Sequence, residues 1–190
     1  LFVAGAIPGE VVDVEVEKVQ RGTGWGITRA VIERSPDRVT DAADSCGGCV
    51  FAHIAYDRQR VIKAAIIDDA FRRLGRMTLE APAQVVGSPI DGYRMRARLH
   101  VRNGRIGFFR EGSHSLCAAG PTRQLRPDTL AVLQALEQSL QSLGRDAVGE
   151  IELSENIAAT ERALHFELLP TADPSLLAAA TTLDGLTGAT

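Results

Sequence analysis

Residues 93–101 alternate strictly between cationic and less polar side chains, and this pattern constrains the fold more than any other part of the sequence. A period of two places successive side chains on opposite faces of a β-strand. Asn103-Gly104 follows, a dipeptide typical of two-residue hairpin turns, and residues 105–110 supply a partner strand. The pattern therefore predicts an antiparallel hairpin that carries three arginines in a row on one face: Arg94, Arg96 and Arg98.

The beginning of the chain is predicted to form a second group of strands. Residues 10–19 alternate apolar and charged side chains, residues 22–26 form a glycine-rich turn, and residues 27–33 return as a strand. Short strands joined by glycine-rich turns fit a small β-barrel, of which only part is expected here. Because Leu1–Pro8 is apolar and strand-like and has no starting Met, the chain is expected to be a fragment.

Helices and a further hairpin are predicted along the rest of the chain. Residues 56–76 carry apolar side chains at helical spacing, and residues 127–143 form a helix with Gly144 after its end. Residues 149–155 and 163–169 are predicted to pair as strands, and Asp173-Pro174-Ser175 to open a short helix. Strands and helices in this order indicate the α+β class.

Charge is distributed unevenly although the net charge is only −3. Residues 92–110 hold six arginines and no carboxylate, while residues 146–190 hold eight carboxylates and one basic residue. We therefore expect a basic surface in the middle of the chain. No apolar run approaches the roughly 20 residues of a membrane-spanning helix, and three cysteines do not suggest a secreted disulfide framework. These features favour a cytoplasmic protein without a membrane partner.

Cys46-Gly47-Gly48-Cys49 has the spacing of a pair that clamps one metal ion or one corner of an iron–sulfur cluster. A thioredoxin-type redox role is the rival, and two reduced loop cysteines without a ligand are the simplest alternative. A third ligand could come from Cys117 or from His53.

The arginine strand is the stronger candidate for binding. Alternate residues of a strand lie about 6.6 Å apart, which is comparable with phosphate spacing along a nucleic-acid strand. Nearby aromatic rings offer faces on which an unpaired base can stack. A solvated sheet face with its aromatics in the core is the alternative. The candidate RNA-binding residues are Tyr93, Arg94, Arg96, Arg98, Phe108, Phe109, Arg110 and His114.

Five segments, in this order, together resemble the S-adenosylmethionine-dependent RNA uracil-C5 methyltransferases. They are residues 2–10, residues 35–39, Cys46 to Cys49 with the following His53 and Tyr56, residues 92–98, and residues 104–114. The resemblance implies a partial OB-like TRAM barrel over residues 1–39, a cysteine loop and helix over 40–80, and a truncated α+β central RNA-recognition domain with an antiparallel sheet over 81–190.

In that family a separate Rossmann-like domain binds S-adenosylmethionine, and a cysteine there attacks C6 of uracil before C5 takes the methyl group. This chain has no glycine-rich loop for that cofactor, and none of its cysteines lies in a comparable context, so no catalytic residue is assigned. The resemblance implies the RNA-positioning portion of an enzyme that modifies ribosomal or transfer RNA. RNA is the expected partner, and DNA is not expected.

Family members with a four-iron four-sulfur cluster use four cysteines. Thr40 stands at the expected position of the first, and the last is expected near Gly120, a few residues after Cys117. Cys46, Cys49 and Cys117 therefore suggest at best the remnant of a cluster site. Two alternatives to the methyltransferase hypothesis remain at this point: a stand-alone RNA-binding module, and a small iron–sulfur or metal-binding protein.

Overall fold

A computed structural model describes residues 1–40, 46–144, 147–170, 172 and 175–190. The chain divides into two compact units, Leu1–Ser88 (the first unit) and Pro89–Thr190 (the second unit). None of the described helices is long and apolar enough to cross a membrane.

The first unit contains a three-stranded sheet in the order β1-β3-β2. Its strands are β1 (Phe2–Ala4), β2 (Val11–Gln20) and β3 (Thr23–Glu33); β3 pairs with β1 in parallel and with β2 antiparallel. The expected glycine-rich turn is shorter than predicted, because β3 already starts at Thr23 and leaves only Arg21-Gly22 as the turn. The described strands form an open sheet rather than a closed barrel.

A buried ion pair ties the start of β2 to the segment after β3. Arg38 donates to both carboxylate oxygens of Glu10 over 2.7 and 2.6 Å, and both side chains are almost fully buried. Arg38 also donates to the Gly5 carbonyl over 2.7 Å, while the amides of Ile7 and Ser35 donate to Glu10. These hydrogen bonds connect segments of the first unit that are far apart in sequence, with the Glu10–Arg38 ion pair between them.

Helix α1 (Tyr56–Arg73) follows in the first unit. Gln59 anchors its first turn by donating to the carbonyls of Phe51 and Ile54. No residue of this helix is buried, so its apolar side chains remain at the surface.

The second unit contains a six-stranded sheet in the order β6-β5-β4-β7-β8-β9. All neighbouring strands are antiparallel except the short β8–β9 pair. The strands are β4 (Arg96–Arg102), β5 (Arg105–Phe109), β6 (Leu116–Ala118), β7 (Val148–Glu155), β8 (Arg162–Leu168) and β9 (Gly188–Ala189).

Two α-helices accompany this sheet, α2 (Pro127–Leu143) and α3 (Ser175–Thr181), with a short 3-10 turn at Gly120–Thr122. Leu136 and Leu140 of α2 are fully buried, as are Leu99 and Ile151 of the sheet. Large apolar side chains of both the helix and the sheet are removed from water, so these side chains form the core of the second unit.

The predicted hairpin is present, with both Asn103 and Gly104 at positive φ. Two positive φ angles are what a type I′ hairpin turn requires. The first strand of this hairpin begins at Arg96 rather than Tyr93, because the amides of Gly92 and Arg94 donate to the segment at 123–124 instead. Asp173 and Pro174, expected to open α3, lie outside the described residues.

Candidate nucleic-acid interface

Strand β4 separates its cationic side chains from its apolar ones, as the alternation predicts. Arg96 and Arg98 are exposed, whereas Ala97, Leu99 and Val101 are buried. The arginines therefore lie on the outer face of the six-stranded sheet, opposite the core.

The arginines are not electrostatically equivalent. Arg98 donates to Glu152 of β7 over 2.8 Å and lies 3.5 Å from Glu150. The hydrogen bond to Glu152, with the charges of both glutamates, raises the pKa of Arg98. Among the described residues, neither Arg94 nor Arg96 has a carboxylate within ion-pair distance. The charges of these two arginines are therefore available to an external anion.

The two phenylalanines of β5 have different environments. Phe108 is only 4% exposed, so its ring belongs to the core and is closed to a base; the predicted stacking role of Phe108 is incompatible with this burial. The Arg94 guanidinium lies 5.5 Å from the centre of the Phe108 ring, a cation–π arrangement that positions the arginine.

Phe109 lies in a cluster of rings on the outer face. His100 stacks on it at 3.6 Å with a 4° interplanar angle, and His114 meets it edge-on at 5.3 Å. The Arg102 guanidinium lies 5.1 Å from the same ring. Burial lowers the pKa of His100, and nearby Glu150 partly opposes this effect. His100 is therefore favoured in its neutral, stacking form.

Arg110 and His114 lie in the connection between β5 and β6. The Arg110 amide donates to the Ser115 carbonyl and the Ser113 amide to the Arg110 carbonyl, which defines a tight loop. Both side chains are exposed. The loop thus places the His114 ring against Phe109, while Arg110 follows Phe109 in the sequence.

An open cleft of about 820 Å³ lies at the beginning of β4. One side is formed by the candidate residues Tyr93, Arg94 and Arg96 with Met95 between them, and the other by the turn after β7. The sequence did not indicate a role for residues 156–158 of that turn. An apolar residue in a polar turn follows no spacing pattern that would mark it as part of a binding site. The structure brings them into the same cleft as the arginines.

All three cysteines are buried, and the metal site predicted for them stays a prediction. Cys46 and Cys49 are buried in a turn closed by a 3.0 Å bond from the Cys49 amide to the Cys46 carbonyl. Cys117 is buried on β6, with its sulfur 3.3 Å from the Phe108 carbonyl oxygen. Within the described ranges, no group of three or more His, Cys, Asp or Glu side chains could hold a metal ion. Three cysteines in the sequence also fall short of the four thiolates of a usual four-iron four-sulfur cluster.

His53, close to this turn in sequence, is buried, and its Nε2 atom has no hydrogen-bond partner in the part of the chain that the structure describes. Burial, reinforced by the charge of Arg38, lowers the pKa of His53. Its carbonyl accepts the Val39 amide, so the residue serves the packing of the first unit.

Comparison with known proteins identifies relatives of one chemical class. The chain is 35% identical over 163 residues to the 23S rRNA (uracil(1939)-C(5))-methyltransferase RlmD of Photorhabdus laumondii, a match that covers 80% of this chain and 37% of that protein. It is 31% identical over 185 residues to the enzyme of the same name from Methylococcus capsulatus, covering 91% of this chain and 41% of that protein. No protein-family model matches the chain.

A solved structure shares the fold. The tRNA (uracil-54, C5)-methyltransferase of Pyrococcus abyssi, in complex with S-adenosyl-L-homocysteine, aligns with a TM-score of 0.67 and 21% identity. The alignment covers 96% of this chain and 44% of that one. The chain thus spans about two fifths of the length of the relatives it matches, and those relatives are RNA uracil-C5 methyltransferases.

Proposed function

We propose that this chain is the RNA-binding and substrate-positioning part of an RNA (uracil-5-)-methyltransferase that modifies ribosomal or transfer RNA in the cytoplasm. The outer face of the second unit carries the proposal. Arg96 of this face, and Arg94 just before β4, have no carboxylate partner among the described residues and line the same cleft as the partly exposed Tyr93. The named activity of the relatives supports an RNA ligand over other polyanions.

In this proposal the cations hold phosphates and the rings hold bases. Guanidinium groups bind phosphate oxygens through paired N–H donors, and unpaired bases stack on aromatic faces. Arg94, Arg96 and Arg110 supply the first function, while Tyr93, Phe109 and His114 supply the second. Arg98 contributes less, because Glu150 and Glu152 already neutralise it.

The first unit is proposed to be part of a TRAM-like, OB-related barrel that also binds RNA. The open three-stranded sheet fits an incomplete barrel. Its outer surface includes Trp25, 39% exposed, with the Lys18 ammonium 5.7 Å from the ring centre and Phe2 stacked at 6.2 Å. A cation beside exposed rings suits a single-stranded nucleic acid.

The methyl donor, S-adenosylmethionine, supplies the methyl group in the reaction proposed for the whole protein. The residues described here do not fit a site for it. Both sheets are antiparallel apart from the short pairs β1–β3 and β8–β9, so they lack the parallel strands whose carboxyl ends form nucleotide-cofactor crevices. We therefore assign the donor site and the chemical step to no residue of this chain.

Methylation kinetics of the intact enzyme test the proposal. Replacing Arg94 and Arg96 by Ala is expected to raise KM for RNA while leaving kcat nearly unchanged, because the residues bind substrate without entering the chemical step. KM for S-adenosylmethionine should stay constant. An unchanged KM for RNA would overturn the assignment of this surface, and a protein that transfers no methyl group to any RNA would overturn the proposed reaction.

A further inference from the structure

The turn between β7 and β8 presents an apolar side chain to the cleft beside the arginines. Ile157 is 79% exposed and lines this cleft together with Tyr93 and Met95, each 39% exposed. Asn156 fixes the turn: its side-chain carbonyl accepts the Thr160 amide over 2.9 Å, and its side-chain amide donates to the Thr160 hydroxyl over 2.9 Å. Ile157 is therefore held at the surface by the turn.

The opposite wall is fixed by backbone hydrogen bonds. The Arg94 amide donates to the Gln124 carbonyl over 3.0 Å, and the Glu155 amide donates to the Met95 carbonyl over 2.9 Å. The second bond connects the two walls of the cleft directly. The cleft is thus built from constrained backbone on both sides.

The charge of the cleft is positive in effect, even though Glu155 contributes to its lining. The Glu155 side chain is fully buried and accepts hydrogen bonds from Arg162 over 2.9 Å and from the Thr129 hydroxyl over 2.7 Å. Its charge is compensated inside the core. Arg94 and Arg96 remain as the cations that face a ligand.

We propose that this cleft binds one unpaired nucleotide of the RNA, with its phosphate on Arg94 and Arg96 and its base against Ile157 and Tyr93. The inference rests on the proposed RNA-binding function and adds a defined subsite with new residues. Cations beside apolar surface match a ligand with an anionic group attached to a flat, weakly polar ring.

Methionine methyl NMR tests the site with a built-in control. The chain has only two methionines: Met95 lines the cleft, and Met77 belongs to the first unit and does not line it. A short single-stranded RNA oligonucleotide added to the 190-residue chain should shift the Met95 methyl signal saturably. Inorganic polyphosphate of equal charge can occupy the two arginines but has no base to enter the cleft, so it should shift this signal clearly less than the RNA does.

Two matched substitutions separate the cleft from RNA binding in general. Ile157→Ala should weaken affinity for the oligonucleotide about tenfold, which corresponds to about 1.4 kcal/mol. Ile90→Ala makes the same change at another exposed isoleucine of the second unit, outside the cleft, and should leave affinity unchanged.

The outcomes are distinguishable. If RNA binds in an Arg96-dependent way, but Met95 does not shift and Ile157→Ala has no effect, the nucleotide cleft is wrong while the proposed function stands. An equal Met95 shift with polyphosphate would identify a general anion site and also overturn the inference. If the chain binds no RNA even at low salt, the proposed function fails together with the cleft.

Discussion

The Arg98 guanidinium of β4 donates a 2.8 Å hydrogen bond to the Glu152 carboxylate of β7, the strand beside it in the sheet. The two residues are register partners, so the pair is a direct cross-strand ion pair. It divides the arginine row into a neutralised position at Arg98 and available positions at Arg94 and Arg96.

We predict that Arg96→Ala weakens RNA affinity more than Arg98→Ala. Each phosphate contact to single-stranded nucleic acid contributes about 0.7 to the slope of log affinity against log salt concentration. Losing Arg96 should lower the slope by about that amount, while losing Arg98 should change it much less. Fluorescence anisotropy over a range of salt concentrations measures both, and equal changes for the two variants would contradict the division.

Removing the carboxylate charge that pairs with Arg98 should strengthen RNA binding. Glu152→Gln removes the charge that compensates Arg98 and should increase RNA affinity, with a steeper salt dependence. Glu17→Gln, an exposed residue of β2, makes the same change in net charge and serves as the control. Equal increases for both variants would show that only the total charge matters.

Substitutions at Phe108 and His114 should affect folding stability and RNA binding differently. Phe108→Ala removes a core side chain and is expected to lower the free energy of unfolding by about 3–5 kcal/mol. His114→Ala changes an exposed side chain, so it should alter stability by no more than about 0.5 kcal/mol while weakening RNA binding. Urea unfolding followed through the Met95 methyl signal, with anisotropy for RNA, tests the contrast. The idea is wrong if His114→Ala leaves RNA affinity unchanged.

The buried Glu10–Arg38 pair should make the first unit sensitive to acid. Hydrogen bonding from Arg38 lowers the pKa of Glu10 to about 2. Since the folded state binds this proton more weakly than the unfolded chain does, the stabilisation is present above pH 4.5 and is lost as the pH falls toward 2. The loss should be about 3 kcal/mol.

Trp25, the single tryptophan, lies in the first unit and reports its unfolding by fluorescence. Glu10→Gln should remove most of the pH dependence between 4.5 and 2 and lower stability at neutral pH, whereas Glu17→Gln should change neither strongly. A full pH dependence retained in Glu10→Gln would assign the acid sensitivity to other carboxylates.

The regular elements with local sequence signals were predictable. The helix predicted over residues 127–143 is α2, and the Asn103-Gly104 turn is present between β4 and β5. The start of β4 was predicted too early, because Arg94 pairs with Gln124 and the sequence gives no sign of that partner. A period of two identifies extended backbone but does not identify what it hydrogen-bonds to.

The interactions that set the charges of the site were not predictable. Glu152 neutralises Arg98 from 54 residues away, and Arg38 meets Glu10 across 28 residues. Neither pair has a local spacing rule, unlike pairs along a helix. The RNA-binding assignments of Tyr93, Arg94, Arg96, Arg98, Phe109, Arg110 and His114, and the three-segment division of the chain, remain predictions.

RNA binding by this surface is tested most directly by measuring how the affinity for single-stranded RNA depends on salt concentration. The measurement compares the unmodified 190-residue chain with the Arg94→Ala, Arg96→Ala double variant. We predict measurable affinity at low salt that falls steeply as salt rises, and a slope smaller by about 1.4 in the double variant. Absence of binding at low salt, or an identical slope in the two proteins, would contradict it.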